Sequence, residues 1–355
     1  MTLTKRISLS ALLLAASPVY AGDLEQALLR CSVLGDVSAR LGCFDAIAKG
    51  AVVPVAEVAP PGPKATIPVV GTTTAPQTPT EKAVELANKP PETQISRMEQ
   101  DWELVPSARR GRYNFRPYRD SYLLIANFST STNDVPFEDI RPDGIKSKRI
   151  ELAYQLSFKT KLLEGIGSTP IDLWAAYTQQ SFWQAYNRSQ SSPFRDTNYM
   201  PEVMLVLPIN KSAGPATLRY ASIGAIHASN GQSGTLSRSW NRVYAEFAGD
   251  AGKFGATVRV WKRLDNAKSD NDNIDIVDFM GHGDLRVTYN NAGNEFSALV
   301  RRNFSTSKGA VQVGWAFPVA TNLKGYVHAF GGYGQSLIDY NYSRKSIGVG
   351  VLMDL

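Results

Sequence analysis

The sequence predicts an all-β protein: an antiparallel transmembrane barrel of about twelve strands, preceded by a small helical hairpin and a Pro-rich linker. Three observations predict it. From Tyr113 to Leu355 the chain carries successive segments of period-2 alternation, most of them about ten residues long, the length of a tilted membrane strand. Charged and amide side chains share one face of these segments while Ile, Leu, Val and Phe hold the other. No apolar run of about 20 residues follows the N-terminus, which excludes a spanning helix.

The elements follow in chain order. Lys5 and Arg6 precede an apolar run from Ile7 to Ala16, and Val19-Tyr20-Ala21 has the small-residue ending of a cleavage site. Residues 1–21 therefore read as a secretory signal peptide, and the mature chain is exported. The formal charge of +6 includes those two leader cations. The rest is mildly basic without a basic stripe, and no nucleic-acid partner is expected. Residues 22–50 hold both cysteines, Cys31 and Cys43, in helical spacing of Ala, Leu and Arg. In an oxidising compartment they are expected to form a disulfide that staples a helical hairpin. Two cysteines with no neighbouring ligands exclude a zinc site there. Residues 51–95 are punctuated by prolines, Pro54, Pro60, Pro61 and Pro63 among them, and read as a semi-extended linker. A possible periplasmic partner of this N-terminal module is kept open.

Residues 96–355 form the barrel domain, opening with a charged, helix-like stretch at Gln94–Leu104. The expected strands are Ser121–Thr130, Arg149–Thr160, Pro170–Trp183, Asn198–Pro208, Ala216–Ala228, Trp240–Gly249, Phe254–Arg263, Phe279–Tyr289, Glu295–Arg302, Ala310–Phe317, Asn322–Gly334 and Ser346–Asp354. In Arg149–Thr160, for example, Leu152, Tyr154 and Leu156 oppose Glu151, Gln155 and Lys159. Trp174, Tyr177, Trp183, Trp240, Trp261, Trp315 and Phe317 fall near strand ends, where an interfacial girdle is expected. A soluble sandwich or lipocalin-like barrel is the alternative. The even strand count, the inward charges and an outward polar site favour the membrane.

That site lies between Ile226 and Val243. His227 and Ser229 are two apart in a strand and share a face. A hairpin centred on Gly234 sets His227 opposite Asn241 on the same face. A nucleophile, a base and an orienting amide thus meet, which is the arrangement for acyl transfer. Asn241 shares its face with Val243, Ala245 and Phe247, and His227 shares its own with Ala221, Ile223 and Ala225. In a membrane barrel such a face meets lipid, so lipid is the substrate within reach. His282 and His328 each stand alone in a strand and are expected to be hydrogen-bonding residues of the lumen.

From about Trp102 onward the chain resembles the outer membrane phospholipase A family. The matching motifs are His227-Ala228-Ser229-Asn230-Gly231, Ser237-Arg238-Ser239-Trp240-Asn241-Arg242, the segment from Ser191 to Tyr199, and Gly334-Gln335-Ser336-Leu337-Ile338-Asp339-Tyr340. The resemblance implies that Ser229 is the nucleophile, His227 the general base and Asn241 the residue that orients the imidazole. It implies an oxyanion donor at the Gly231 N–H, and Ca2+ bound by the Ser237 hydroxyl, the Gln232 carbonyl and, from a second subunit, the Ser191 carbonyl. It places Gln179 at a dimer interface. The chain departs from the family pattern at Ala228, where Asp is frequent, and at Gln232, where Arg is frequent. The first loss removes an acid that could serve an auxiliary calcium site. The implied function is a calcium-dependent phospholipase acting on phospholipids and lysophospholipids, integral to the bacterial outer membrane with its N-terminal module periplasmic, and regulated as a reversible homodimer. The competing expectation is a catalytically silent barrel serving as a pore or structural anchor.

Overall fold

A computed structural model of the chain describes Cys31 and residues 36–48, 95–138, 146–264 and 273–353. The chain divides into two units, Met1–Asn88 and Lys89–Leu355. In the first, helix α1 (Val37–Ala48) begins after Asp36, whose carboxylate accepts from the Ala39 N–H at 2.8 Å as an N-cap. A disulfide joins Cys43 of α1 to Cys31. The leader expected at residues 1–21 and all but the last residue of the expected linker lie outside the described residues.

The second unit opens with α2 (Arg97–Trp102), closed at its start by a capping box between Ser96 and Glu99. The strands follow: β1 (Phe115–Pro117), β2 (Ser121–Ser129), β3 (Ile150–Leu163), β4 (Asp172–Trp183), β5 (Phe194–Ala213), β6 (Ala216–Ser229), β7 (Ser239–Ala251) and β8 (Phe254–Arg263). A short helix α3 (Ile276–Met280) precedes β9 (Gly283–Asn291), β10 (Asn294–Arg302), β11 (Gly309–Ala320), β12 (Leu323–Tyr333) and β13 (Ser343–Met353). Neighbours pair antiparallel in chain order, and β13 returns to β2, so β2 to β13 close a twelve-stranded barrel. Closure leaves no unpaired edge, the condition a sheet must meet in lipid. The three-residue β1 pairs beside β2 on the end of β3.

Each strand is placed by its alternation. In β7, Trp240, Tyr244, Glu246 and Ala248 are buried in the lumen, while Val243 and Phe247 are exposed on the wall. This corrects the aromatic girdle. Trp174, Trp240 and Trp261 are buried inside the barrel, because each is in phase with lumenal side chains such as Glu246 and Arg259, whereas Trp315 does lie on the outer wall. The lumen is filled by charge pairs. Arg259 bridges Glu202 at 3.1 Å and Glu246 at 2.6 Å, and Tyr118 donates to Glu202 at 2.8 Å. His328 is buried and stacks on Tyr122, but neither of its ring nitrogens hydrogen-bonds to protein, so it is lumenal without the bonding expected of it.

The two ends of the barrel differ. Gly214-Pro215, Gly252-Lys253, Ala292-Gly293 and Thr321-Asn322 make tight turns at one end, and longer loops join the strands at the other. In outer-membrane barrels short turns are periplasmic and long loops external. Residues 95–104 enter at the short-turn end. Trp102 is buried against Tyr118, Trp174 and Tyr220, with the Lys159 ammonium 3.3 Å from its ring centroid. Glu103 binds Arg116 and Lys161 beneath it, and Arg219 holds Glu99 at 2.8 Å. The helix-like stretch thus forms a stopper in the lumen. Its insertion was not visible in its composition.

Candidate active site

The long-loop end of β6 and β7 carries the candidate site. Register places His227 opposite Asn241 and Ser229 opposite Ser239. His227, Ser229 and Asn241 all belong to the outward phase, since the intervening Ala228 and Trp240 are buried inside. His227 is exposed, and Ser229 and Asn241 are half-buried. The His227 Nδ1 lies 2.8 Å from the Asn241 Oδ1. An amide oxygen only accepts, so Nδ1 carries the proton and Nε2 keeps a free lone pair on the side away from Asn241. The Ser229 hydroxyl makes no hydrogen bond to the imidazole here. Such contacts commonly tighten only around substrate.

One residue organises the loop after Ser229, and the sequence reading passed it by. Asn230 is 2 % exposed. Its Oδ1 accepts from the N–H of Arg238 at 2.9 Å and of Gln232 at 3.3 Å, and its Nδ2 donates to the Leu236 carbonyl at 2.8 Å. An asparagine beside a Gly-rich turn is the signal that could have found it, because its amide mimics a backbone turn. Gly231 follows at φ +65°, and a Cβ there would stand 3.2 Å from the Tyr199 ring. Both its conformation and its fit against Tyr199 favour glycine.

Two of the sequence motifs meet beneath this loop. Asp196 accepts from Asn230 at 3.3 Å, from Asn198 at 2.7 Å and from the Ile338 N–H at 3.1 Å. Asp339, in the loop after β12, binds Arg195 at 2.7 Å and Arg344 at 3.1 Å, and both arginines also bind Glu151. Burial alone would raise the Asp339 carboxyl, but the Arg195 and Arg344 guanidiniums outweigh it and hold it below the ordinary carboxylate value. The segments Arg195–Asn198 and Gln335–Tyr340 are therefore a scaffold for the site loop.

The expected calcium ligands are backbone and hydroxyl oxygens on loops. Ser191 ends a short turn after β4 at φ 57°, and Gln232 and Ser237 bracket the short 3-10 turn at Gly234–Leu236. The Ser237 hydroxyl and the Gln232 carbonyl accept no protein hydrogen bond among the described residues. Oxygen donors of this kind suit a hard cation. No group of three or more His, Cys, Asp or Glu side chains placed to hold a metal ion occurs among the described residues. Gln179 lies in the outward phase of β4, not in the lumen, between Tyr177 and Ser181. Its Oε1 accepts from the Tyr177 hydroxyl at 3.0 Å and its Nε2 reaches Tyr154 and Ser181 at 3.4 Å, which makes a polar strip on an otherwise apolar wall.

Fold and site together define a class: an integral outer-membrane β-barrel with a serine, a histidine and an asparagine amide on its outward wall. The family model for Phospholipase A1 matches residues 98–353. The Phospholipase A1 of Salmonella typhimurium is 35% identical over 244 residues, covering 68% of this chain and 82% of the relative. Among solved structures, the outer membrane phospholipase A of Escherichia coli superposes with a TM-score of 0.64 at 32% identity, over 69% of this chain and 94% of that one. The Salmonella typhi outer membrane phospholipase dimer with bound calcium gives the same TM-score at 33% identity and the same coverage. This chain belongs to the phospholipase A1 family.

Proposed function

We propose that the protein is a calcium-dependent phospholipase of the outer membrane that hydrolyses acyl esters of phospholipids and lysophospholipids with Ser229, His227 and Asn241. The observation that carries the reading is the 2.8 Å contact between His227 Nδ1 and Asn241 Oδ1 on the lipid-facing wall beside Ser229. It fixes the tautomer that leaves Nε2 able to act as a base.

The Ser229 hydroxyl gives its proton to His227 Nε2 as its oxygen attacks the ester carbonyl. The imidazolium then protonates the departing glycerol oxygen. Asn241 orients the ring throughout but brings no charge to stabilise the imidazolium, so the base is weaker than one backed by a carboxylate. The Gly231 N–H is the proposed donor to the oxyanion. The Ser237 hydroxyl, the Gln232 carbonyl and the Ser191 carbonyl of a second copy would hold the calcium, which supplies further stabilisation of negative charge when bound. Losing one oxyanion donor costs about 3–4 kcal/mol at the transition state, enough to idle a barrel that lacks a neighbour. The polar strip at Gln179 is the proposed contact between copies. Residues 1–21 are read as a removed leader, and the N-terminal module as periplasmic.

Protein refolded in detergent micelles is expected to hydrolyse a chromogenic long-chain acyl thioester with calcium and to stop on addition of EDTA. Turnover unaffected by EDTA would overturn the calcium requirement. No turnover in calcium would favour the silent barrel, a reading that the lumenal stopper at Trp102 already makes difficult for an open pore.

A further inference from the structure

An apolar trough runs down the outer wall from His227, and the reaction as described does not use it. Ala225 is the next outward residue on β6, and its register partner Val243 is the next on β7. One step further, Ile223 faces Ala245. Val203 pairs with Ala225 from the β5 side, and Val260 pairs with Ala245 from the β8 side. The alanines form a floor between branched neighbours, and the result is a shallow, open depression of about 640 Å³. A wall facing lipid has to be apolar, but nothing requires it to be concave. Lys262 stands at the margin, paired with Val243, exposed, and without a carboxylate partner among the described residues.

The chemistry of the site says which part of a substrate lies there. The bond that breaks joins the acyl carbon to a glycerol oxygen, and that oxygen takes its proton from His227 Nε2. The acyl group stays on Ser229 until water releases it. The glycerol must therefore sit over His227, and whatever it carries continues along the wall from there. The wall next to His227 is the trough. Adjacent strands are about 4.8 Å apart, so Lys262 stands roughly 10 Å across from β6, within reach of a phosphate on the same glycerol.

Resting on the hydrolase reading, we propose that the trough holds the uncleaved acyl chain of the phospholipid and that Lys262 meets its phosphate. The occupant follows from the trough's continuity with the site and from Lys262, the one cation among the described residues that line it. The protein then recognises the leaving lysophospholipid as well as the chain it removes.

The test compares diacyl phospholipid with lysophospholipid of the same headgroup, since the latter has no uncleaved chain. In Ala245→Trp the ratio of kcat/KM for diacyl over lyso substrate should fall roughly tenfold or more, the scale of a filled apolar pocket. In Lys262→Gln the ratio of KM for phospholipid over that for uncharged diacylglycerol should rise. A second measurement needs no turnover. A phospholipid with an ether at the cleaved position and a photoactivatable group on the other chain should label residues 223, 225, 243 and 245 of Ser229→Ala protein in preference to Val311, Val313 and Val349 on the far wall. Unchanged ratios, or even labelling of both walls, in a preparation whose parent hydrolyses the thioester would overturn the trough alone. A parent inactive toward every ester would overturn the hydrolase reading and this inference with it.

Discussion

In the proposed triad, Asn241 sets how strong a base His227 can be. Its amide holds the imidazole at 2.8 Å and fixes the proton on Nδ1, yet it offers no charge to the imidazolium. Asn241→Ala is therefore expected to slow kcat by about 10- to 1,000-fold without changing the barrel, as read from thioester kinetics and heat-modifiability on gels. Asn230 acts one step further out. Three hydrogen bonds from one buried side chain shape the turn that carries Gly231, Gln232 and Ser237. Asn230→Ala strands those groups, each at about 1–3 kcal/mol. Its expected signature is a calcium requirement shifted to higher concentration together with a lower kcat; a fall in kcat at unchanged calcium dependence would place the effect elsewhere.

At the scale of elements, strands and loops carry different amounts of information in the sequence. The His227–Asn241 register was legible because period-2 alternation and a Gly-centred turn fix which residues face each other. The start of β9 was not. Phe279 reads as strand by composition, but residues 276–280 form a helix and Gly281 at φ +69° turns the chain before β9 begins. The direction of Trp174, Trp240 and Trp261 was lost because their type suggests an interface while their phase sends them inward. The join between the Arg195–Asn198 and Gln335–Tyr340 segments was beyond any local signal, since it is made by side chains 144 residues apart. That join has a pH dependence. Asp339 lies in a loop outside the spanning strands and is held below the ordinary carboxylate value, so its stabilisation is complete above its unfolded pKa of about 4 and is lost as pH falls through the lower folded value. Unfolding in micelles between about pH 5 and pH 2 should show Asp339→Asn with a flatter loss of stability than the parent. Parallel curves would mean that Asp339 does not couple to folding.

For the whole molecule, the proposed site faces its proposed lipid substrate permanently. Control must come from completing the site, not from admitting lipid to it. A second copy docking on the polar strip at Gln179 would bring its Ser191 carbonyl to the calcium position. In a detergent-dilution series, crosslinked dimer and thioester turnover should rise together with calcium and fall together with EDTA. Full turnover in a sample that is monomeric by sedimentation would contradict this control. The stopper bears on the same scale: Trp102 and the Arg259 pairs occupy part of the lumen, while His227, Ser229 and Asn241 stand on the outer wall.

The central claim is that Ser229 is the nucleophile on that wall. The direct measurement is reaction of the refolded protein with a long-chain sulfonyl fluoride in calcium, followed by peptide mass spectrometry. One sulfonyl group on Ser229, with turnover lost in proportion and no labelling of Ser229→Ala, is the predicted result. Inactivation with the label on another serine, or full turnover by Ser229→Ala, would contradict it.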